Sequence, residues 1–303
     1  MRRLLALLLA TLTLGTAAAH AQPALTVAYA GSMGVVMDRH ISPTFERKYP
    51  VSVRGIGQGA WALARLIAGG QMRADVFVSV TPGPMRLLIE KGLVHRAVPV
   101  ASTQMVIAYS PKSRFAARFR EAAAGRRTWY RVLEEPGLRF GRTDPATDPQ
   151  GRNVILSFQL AALYYHRPRL VQRVLGPLRN PRQIFTEPSL LSRLESGQID
   201  AVAGYLSAVR SHRLPYVALP AQINLGDPAY MRDWYSRAGF EVSGLHGGKV
   251  RVKPQPLVFY AAVLDNASHP DLARSFVRFL RSPVAQKMFR DNGYSPPHGK
   301  PLG

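Results

Sequence analysis

The feature that most constrains this chain is a repeated unit: a short strand, a turn rich in glycine and serine, then a helix. The first unit runs from Leu25 to Ala30, through Gly31-Ser32-Met33-Gly34, into a helical stretch ended by Pro50. The second has a strand from Val51 to Arg54, the turn Gly55-Ile-Gly-Gln-Gly59, and a helix from Trp61 to Ala68 closed by Gly69-Gly70. The third pairs the strand Asp75 to Val80 with a helix around Met85 to Lys91. Strands alternating with helices build βαβ units, so the expected class is α/β, with mostly parallel mixed sheets flanked by helices. Folds of this kind hold ligands at the turns that follow their strands.

The pattern begins again after one long strand, Ser102 to Tyr109. A strand from Leu138 to Gly141 leads through the loop Arg142–Gly151 into a helix to about Tyr165. A helix from about Ser189 to Ser196, a strand from Ile199 to Ala203 and a helix starting near Ser207 follow. The chain returns through Leu257 to Val263 and ends on two helices, Asp271 to Leu280 and Val284 to Asn292. Two crossing strands predict two lobes, a hinge and a cleft between them. Lobe I is expected at 22–108 plus 259–303 and lobe II at 109–258. The 303 residues, 47% of them hydrophobic, are enough for two cores.

Ahead of the first strand lies an address. Arg2 and Arg3 precede an apolar run from Leu4 to Leu14, and Ala19-His20-Ala21 forms an A-x-A cleavage pattern before Gln22. Residues 1–21 therefore read as a signal peptide, and no later stretch is long and apolar enough to span a membrane. The expected product is exported. It carries no cysteine, which removes disulfides, thiol nucleophiles, cysteine-ligated metals and cysteine-linked lipid anchors.

The chain has 40 Lys+Arg against 18 Asp+Glu, a formal charge of +22. Its arginines are dispersed, whereas nucleic-acid proteins concentrate charge in a patch or arm. A solvated surface, or a positive field that speeds encounter with a small anion, fits better. Enzyme motifs are weak. Ala30-Gly-Ser32-Met-Gly34 resembles a nucleophile elbow, which would make Ser32 the serine of an exported hydrolase, but Ala30 replaces the first glycine and the strand is the first of the mature chain. Gly55-x-Gly57-x-x-Ala60 lacks a ribose-binding acid at the right strand end. The eight histidines show no metal-ligand spacing. Asp144 and Asp148, each before a proline, read first as turn former and helix cap. The chain is built to bind and is not expected to be an enzyme.

Glycine-rich turns open helices at Gly31-Ser32, Gly59-Ala60, Gly151-Arg152 and from Gly204 through Tyr205 to Ser207. First helical turns present unpaired N–H groups, so four such turns facing one cleft would form a cage of neutral donors for an oxyanion. With these residues the chain resembles class II periplasmic solute-binding proteins of ABC importers, and within them the molybdate/tungstate-binding branch. The shared marks are Ala30-Gly-Ser32, Arg73-Ala-Asp-Val-Phe-Val-Ser79, Thr103-Gln-Met-Val-Ile-Ala-Tyr109 and Pro145-x-x-Asp148-Pro149-x-Gly151. Glu195-Ser-Gly197-x-Ile-Asp200 and Leu219-Pro-x-x-Ile-Asn-Leu-Gly-Asp227-Pro, with Tyr230 downstream, complete them.

The resemblance implies a two-lobed Venus-flytrap fold that closes on molybdate or tungstate and docks on an inner-membrane ABC permease. It implies a periplasmic monomer with no cofactor. Sulfate, phosphate and other small anions suit the same fold. The implied ligand-binding residues are Gly31, Ser32, Gly59, Ala60, Asp148, Gly151, Arg152, Gly204, Tyr205 and Ser207. The chain departs from the pattern twice. Gly59, Ala60 and Trp61 stand where the family commonly offers serine hydroxyls, leaving Gln58 or main-chain N–H groups to substitute. A carboxylate of the tungstate-preferring branch is matched by Asp148, but its companion glutamate falls at Gly204. The expectation is thus at most one carboxylate and a tetrahedral anion held by hydrogen bonds, with Asp148 a metal ligand only if it bonds the anion's metal directly.

Overall fold

The computed structural model of the protein describes residues 22–243 and 248–303. The expected signal peptide, 1–21, lies outside them. Two sheets organise the chain. The first contains β1 (Ala24–Ala30), β2 (Ser52–Gln58), β3 (Val76–Val80), β4 (Ala97–Ser102) and β11 (Val258–Val263), in the order β2-β1-β3-β11-β4. The second contains β5 (Met105–Tyr109), β6 (Phe140–Gly141), β7 (Ala201–Tyr205) and β8 (Tyr216–Ala218), in the order β6-β7-β5-β8. A separate hairpin joins β9 (Phe240–Ser243) to β10 (Lys249–Val252). The fold is α/β, two mixed sheets with flanking helices joined by the crossing segments, as the two-lobed expectation requires.

The central strands β3, β5 and β7 are buried along their whole length, as near-continuous apolar runs such as Met-Val-Ile-Ala-Tyr require when helices cover both faces. Strand β2 lies on an edge, and its residues are all exposed or half-buried. The βα units supply the parallel pairs β1–β2, β1–β3 and β6–β7. The chain's crossings supply the antiparallel ones: β11 enters the first sheet between β3 and β4, and β5 enters the second between β7 and β8. Mixed sheets therefore contain more antiparallel pairing than strand–helix alternation alone implies.

The strand read as continuous from Ser102 to Tyr109 is divided between the sheets. β4 ends at Ser102 and β5 begins at Met105, so residues 105–108, expected with lobe I, pair in the second sheet. One strand cannot serve two sheets of different orientation without a break, and the break falls at Thr103-Gln104. There the Thr103 N–H donates to the Leu257 carbonyl on the returning segment (3.0 Å). The C-terminal segment also returns to the first sheet: the Ser102 N–H donates to the Ser295 carbonyl and the Ala97 N–H to the Leu302 carbonyl.

Candidate functional site

The cleft is closed. Gly59 caps the helix Ala60–Ala68 and touches the opposite lobe so closely that a Cβ on it would lie 2.8 Å from the Thr147 carbonyl. The neighbouring Ala62 N–H donates to that same carbonyl (3.1 Å). Beside this contact lies a cavity of about 620 Å³, lined by Gly57, Gln58 and Gly59 on one side and Thr143, Asp148 and Glu187 on the other.

Asp148 serves both as a cap and as part of the cleft. It precedes the helix Pro149–Tyr164, where Oδ1 accepts from the Gln150 N–H (2.8 Å). Oδ2 faces Gly59, 3.4 Å from where that residue's Cβ would be. Burial raises its pKa to about 7, against opposing pulls from the Gln150 N–H, the Thr143 hydroxyl and the Arg152 charge.

Glu187 comes from a different element. The helix expected from Ser189 begins two residues earlier, at Glu187, with Pro188 in the first turn where a missing N–H costs nothing. Its side chain is buried and pressed against Gly31, whose Cβ would lie 2.7 Å from Oε2. Burial, then the nearby charge of Asp148, push its pKa well above the ordinary range, while the Ser32 hydroxyl and the N–H groups of Ser32 and Gly31 pull it down. Ser32 Oγ, Thr143 Oγ1, Ser207 Oγ and Glu187 Oε1 are each buried and make no well-formed hydrogen bond, with Ser32 lying against the Glu187 carboxyl, Thr143 against the Asp148 carboxyl and Ser207 against the Tyr294 hydroxyl. Buried polar atoms are normally fully partnered, so these four retain unused hydrogen-bonding capacity.

The model of the bacterial extracellular solute-binding proteins matches residues 25–295. The chain belongs to that family. A solute-binding protein of Petrotoga mobilis is 30% identical over 282 residues, covering 91% of this chain and 85% of that one. The molybdate/tungstate-binding protein WtpA of Thermococcus kodakarensis is 26% identical over 292 residues, covering 88% of this chain and 80% of its own. The fold is shared with the periplasmic molybdate-binding protein of Azotobacter vinelandii at a TM-score of 0.62 and 15% identity, over 90% of this chain and 100% of the other.

In this solute-binding protein most of the expected residues converge. Gly31 and Ser32 form a single tight turn after β1, and Ser32 is not a helix cap, since it lies inside the turn Gly31–Met33, with Ala30 at the cap position before it and Met33 before the next helix. Ala60 is buried in the first turn behind Gly59. Tyr205 is fully buried, its hydroxyl accepts from Asn153 Nδ2 (3.0 Å), and burial followed by the charge of Asp148 raises its pKa. Gly204 faces Gln150, whose Oε1 would lie 3.5 Å from an added Cβ. Ser207 donates its N–H to Thr103 Oγ1 (3.2 Å) at the crossing.

Two expected residues sit elsewhere. Gly151 packs against the Thr143 carbonyl and the main chain of Asp144 and Pro145, so its missing side chain admits the preceding loop and not a ligand. Arg152 turns away from the cavity of Asp148 and Glu187. Its Nε donates to the Pro145 carbonyl (2.8 Å) and its guanidinium lies 4.6 Å from the centre of the Trp61 ring. The expectation of at most one carboxylate is also overturned, because Glu187 supplies a second from a helix start remote in sequence from Asp148. Sequence reading missed Glu187 because an acidic residue in a first helical turn is ordinary there. Nothing local signals burial against a turn more than 150 residues away.

Proposed function

We propose that this protein is the substrate-binding component of an ABC importer, exported by cleavage after Ala21, that captures a tetrahedral oxyanion and delivers it to a membrane permease. Molybdate and tungstate are the anions of first choice, in keeping with relatives named for binding them. No catalytic step is assigned to the cleft. The observation that carries this reading is the convergence of the Gly31–Ser32 turn with the two buried carboxyls of Asp148 and Glu187 in one closed cleft.

Two carboxyls beside an anion would be repulsive if both were charged. Their raised pKa values resolve the conflict, since a protonated carboxyl donates a hydrogen bond to an oxyanion. The Ser32 hydroxyl and the N–H groups of Gly31 and Ser32, which meet the Glu187 carboxyl in this structure, would turn to the anion as neutral donors. Gly31, Ser32, Gly59, Asp148, Glu187 and Tyr205 are the residues assigned to the cage, with Ala60, Gly204 and Ser207 behind them.

Titration calorimetry of ligand-stripped protein at pH 6 against molybdate, tungstate, sulfate and phosphate tests the assignment. Tight binding of one or more tetrahedral oxyanions is expected, accompanied by a fall in radius of gyration in solution scattering. Absence of heat with all four, or scattering curves identical with and without saturating anion, would refute it.

A further inference from the structure

A second cavity, of about 360 Å³, opens between the lobes on the other side of Trp61. Its charged lining consists of Arg86, Arg152, Arg251 and Lys253 against a single acid, Glu90. Among the described residues, none of these four cations forms an ion pair. Three of them are exposed, a cheap state for a solvated charge, but Arg152 is not. It is held by the Pro145 carbonyl and the Trp61 face, which orient a guanidinium without neutralising it. Arg65 adds a second cation 6.0 Å from the centre of the same ring, with its Nε buried and unpartnered. Burial and repulsion from Arg65 hold the Arg152 pKa down at about 10.

The backbone supplies an independent sign. Thr81, which lines the cavity, has φ at +64°, a conformation a β-branched residue adopts only under constraint. A half-buried unpaired cation and a strained lining residue are both costs to the folded chain. A divalent anion seated among these cations would offset the first, and its contacts with both lobes would favour closure.

We propose that this cavity is a second anion site, in which a small divalent oxyanion is held between Arg86, Arg251 and Lys253 with Arg152 at its inner wall. The site does not depend on which solute occupies the cage. It gives the chain's positive charge a local role, drawing anions to the mouth of the cleft.

Equilibrium dialysis with inorganic tungstate at low ionic strength, with bound metal counted by mass spectrometry, tests this. The wild-type chain should bind two tungstates, the weaker of them lost when ionic strength rises roughly tenfold and shortens the Debye length. The triple variant Arg86→Gln/Arg251→Gln/Lys253→Gln, all at exposed positions, should bind one, with at least about tenfold weaker uptake at the other site. Ser32→Ala should weaken the tighter site and leave the weaker unchanged. A single tungstate that the triple variant retains would overturn the second site. A single tungstate lost in the triple variant but kept in Ser32→Ala would support the second site and remove the oxyanion from the cage.

Discussion

The two walls of the cleft use opposite chemistry. The wall after β1 and β2 offers neutral donors and bare main chain at Gly31, Ser32 and Gly59. The facing wall offers acids, Asp148 and Glu187, in surroundings so dry that both favour the proton. The donor wall is made by single turns, each of which would look the same in isolation. The acid wall exists only because two helix starts, about forty residues apart in sequence, are buried together. Neutral turns can thus be interpreted one at a time, whereas an acid's role depends on what surrounds it.

The sharpest way to break this contrast is to overload the acid wall. Gly204→Glu would add a third carboxyl to the side of the cleft that carries Asp148 and Glu187, where the Gln150 side chain would meet it. A buried like charge costs several kcal/mol, so affinity for a tetrahedral anion at pH 8 should fall by more than about a hundredfold. Calorimetry that instead shows tungstate tightening relative to sulfate would make the position a coordination site.

Ser32→Ala strikes the donor wall. Loss of a hydrogen bond to a charged group, about 1.5–3 kcal/mol, corresponds to a roughly ten- to hundredfold loss of affinity. Because Ser32 caps no helix, the melting temperature of the empty protein should barely move. An unchanged dissociation constant would take Ser32 out of the cage.

The acids should impose a pH dependence that the donors lack. Folded Asp148 keeps its proton up to about pH 7, while the unfolded chain releases it near the ordinary 3.8. The stability gained from that proton is complete below the unfolded value and is lost as pH rises toward 7. Affinity for a dianion should then weaken by up to about tenfold per pH unit above 7. Asp148→Asn keeps a capping side chain and should flatten this profile. It should also raise the melting temperature of the empty protein at pH 8 by on the order of 5 °C, with little effect at pH 4. A wild-type affinity that is constant from pH 6 to 9 would mean the carboxyls do not meet the anion as acids.

The smallest effect on binding is expected at Gly151, a cage candidate by sequence that the structure assigns to packing. Gly151→Ala would drive a methyl into the Thr143 carbonyl and should cost about 1–3 kcal/mol of stability, read by chemical denaturation. Affinity per folded molecule should stay within about twofold, less than the smallest change expected from losing a hydrogen bond to the anion.

By itself the sequence determined the α/β architecture and the two-lobed plan, and it singled out the turns now proposed to hold the ligand. Those features rest on local rules: strand runs of apolar residues, glycine at tight turns, and helices that open on unpaired N–H groups. It also placed Ser32 and Asp148 at the cleft through short motifs. Only the tertiary structure decided that Glu187 supplies a second carboxyl, that Gly151 fills a packing role, and that Arg152 faces Trp61 instead of the cage. It also decided that the crossing strand divides at Thr103-Gln104. Each of these depends on which distant segment lies within a few ångströms, through the burial that moves a proton, the carbonyl that excludes a methyl, or the ring that holds a guanidinium, and no local pattern of residues encodes that proximity.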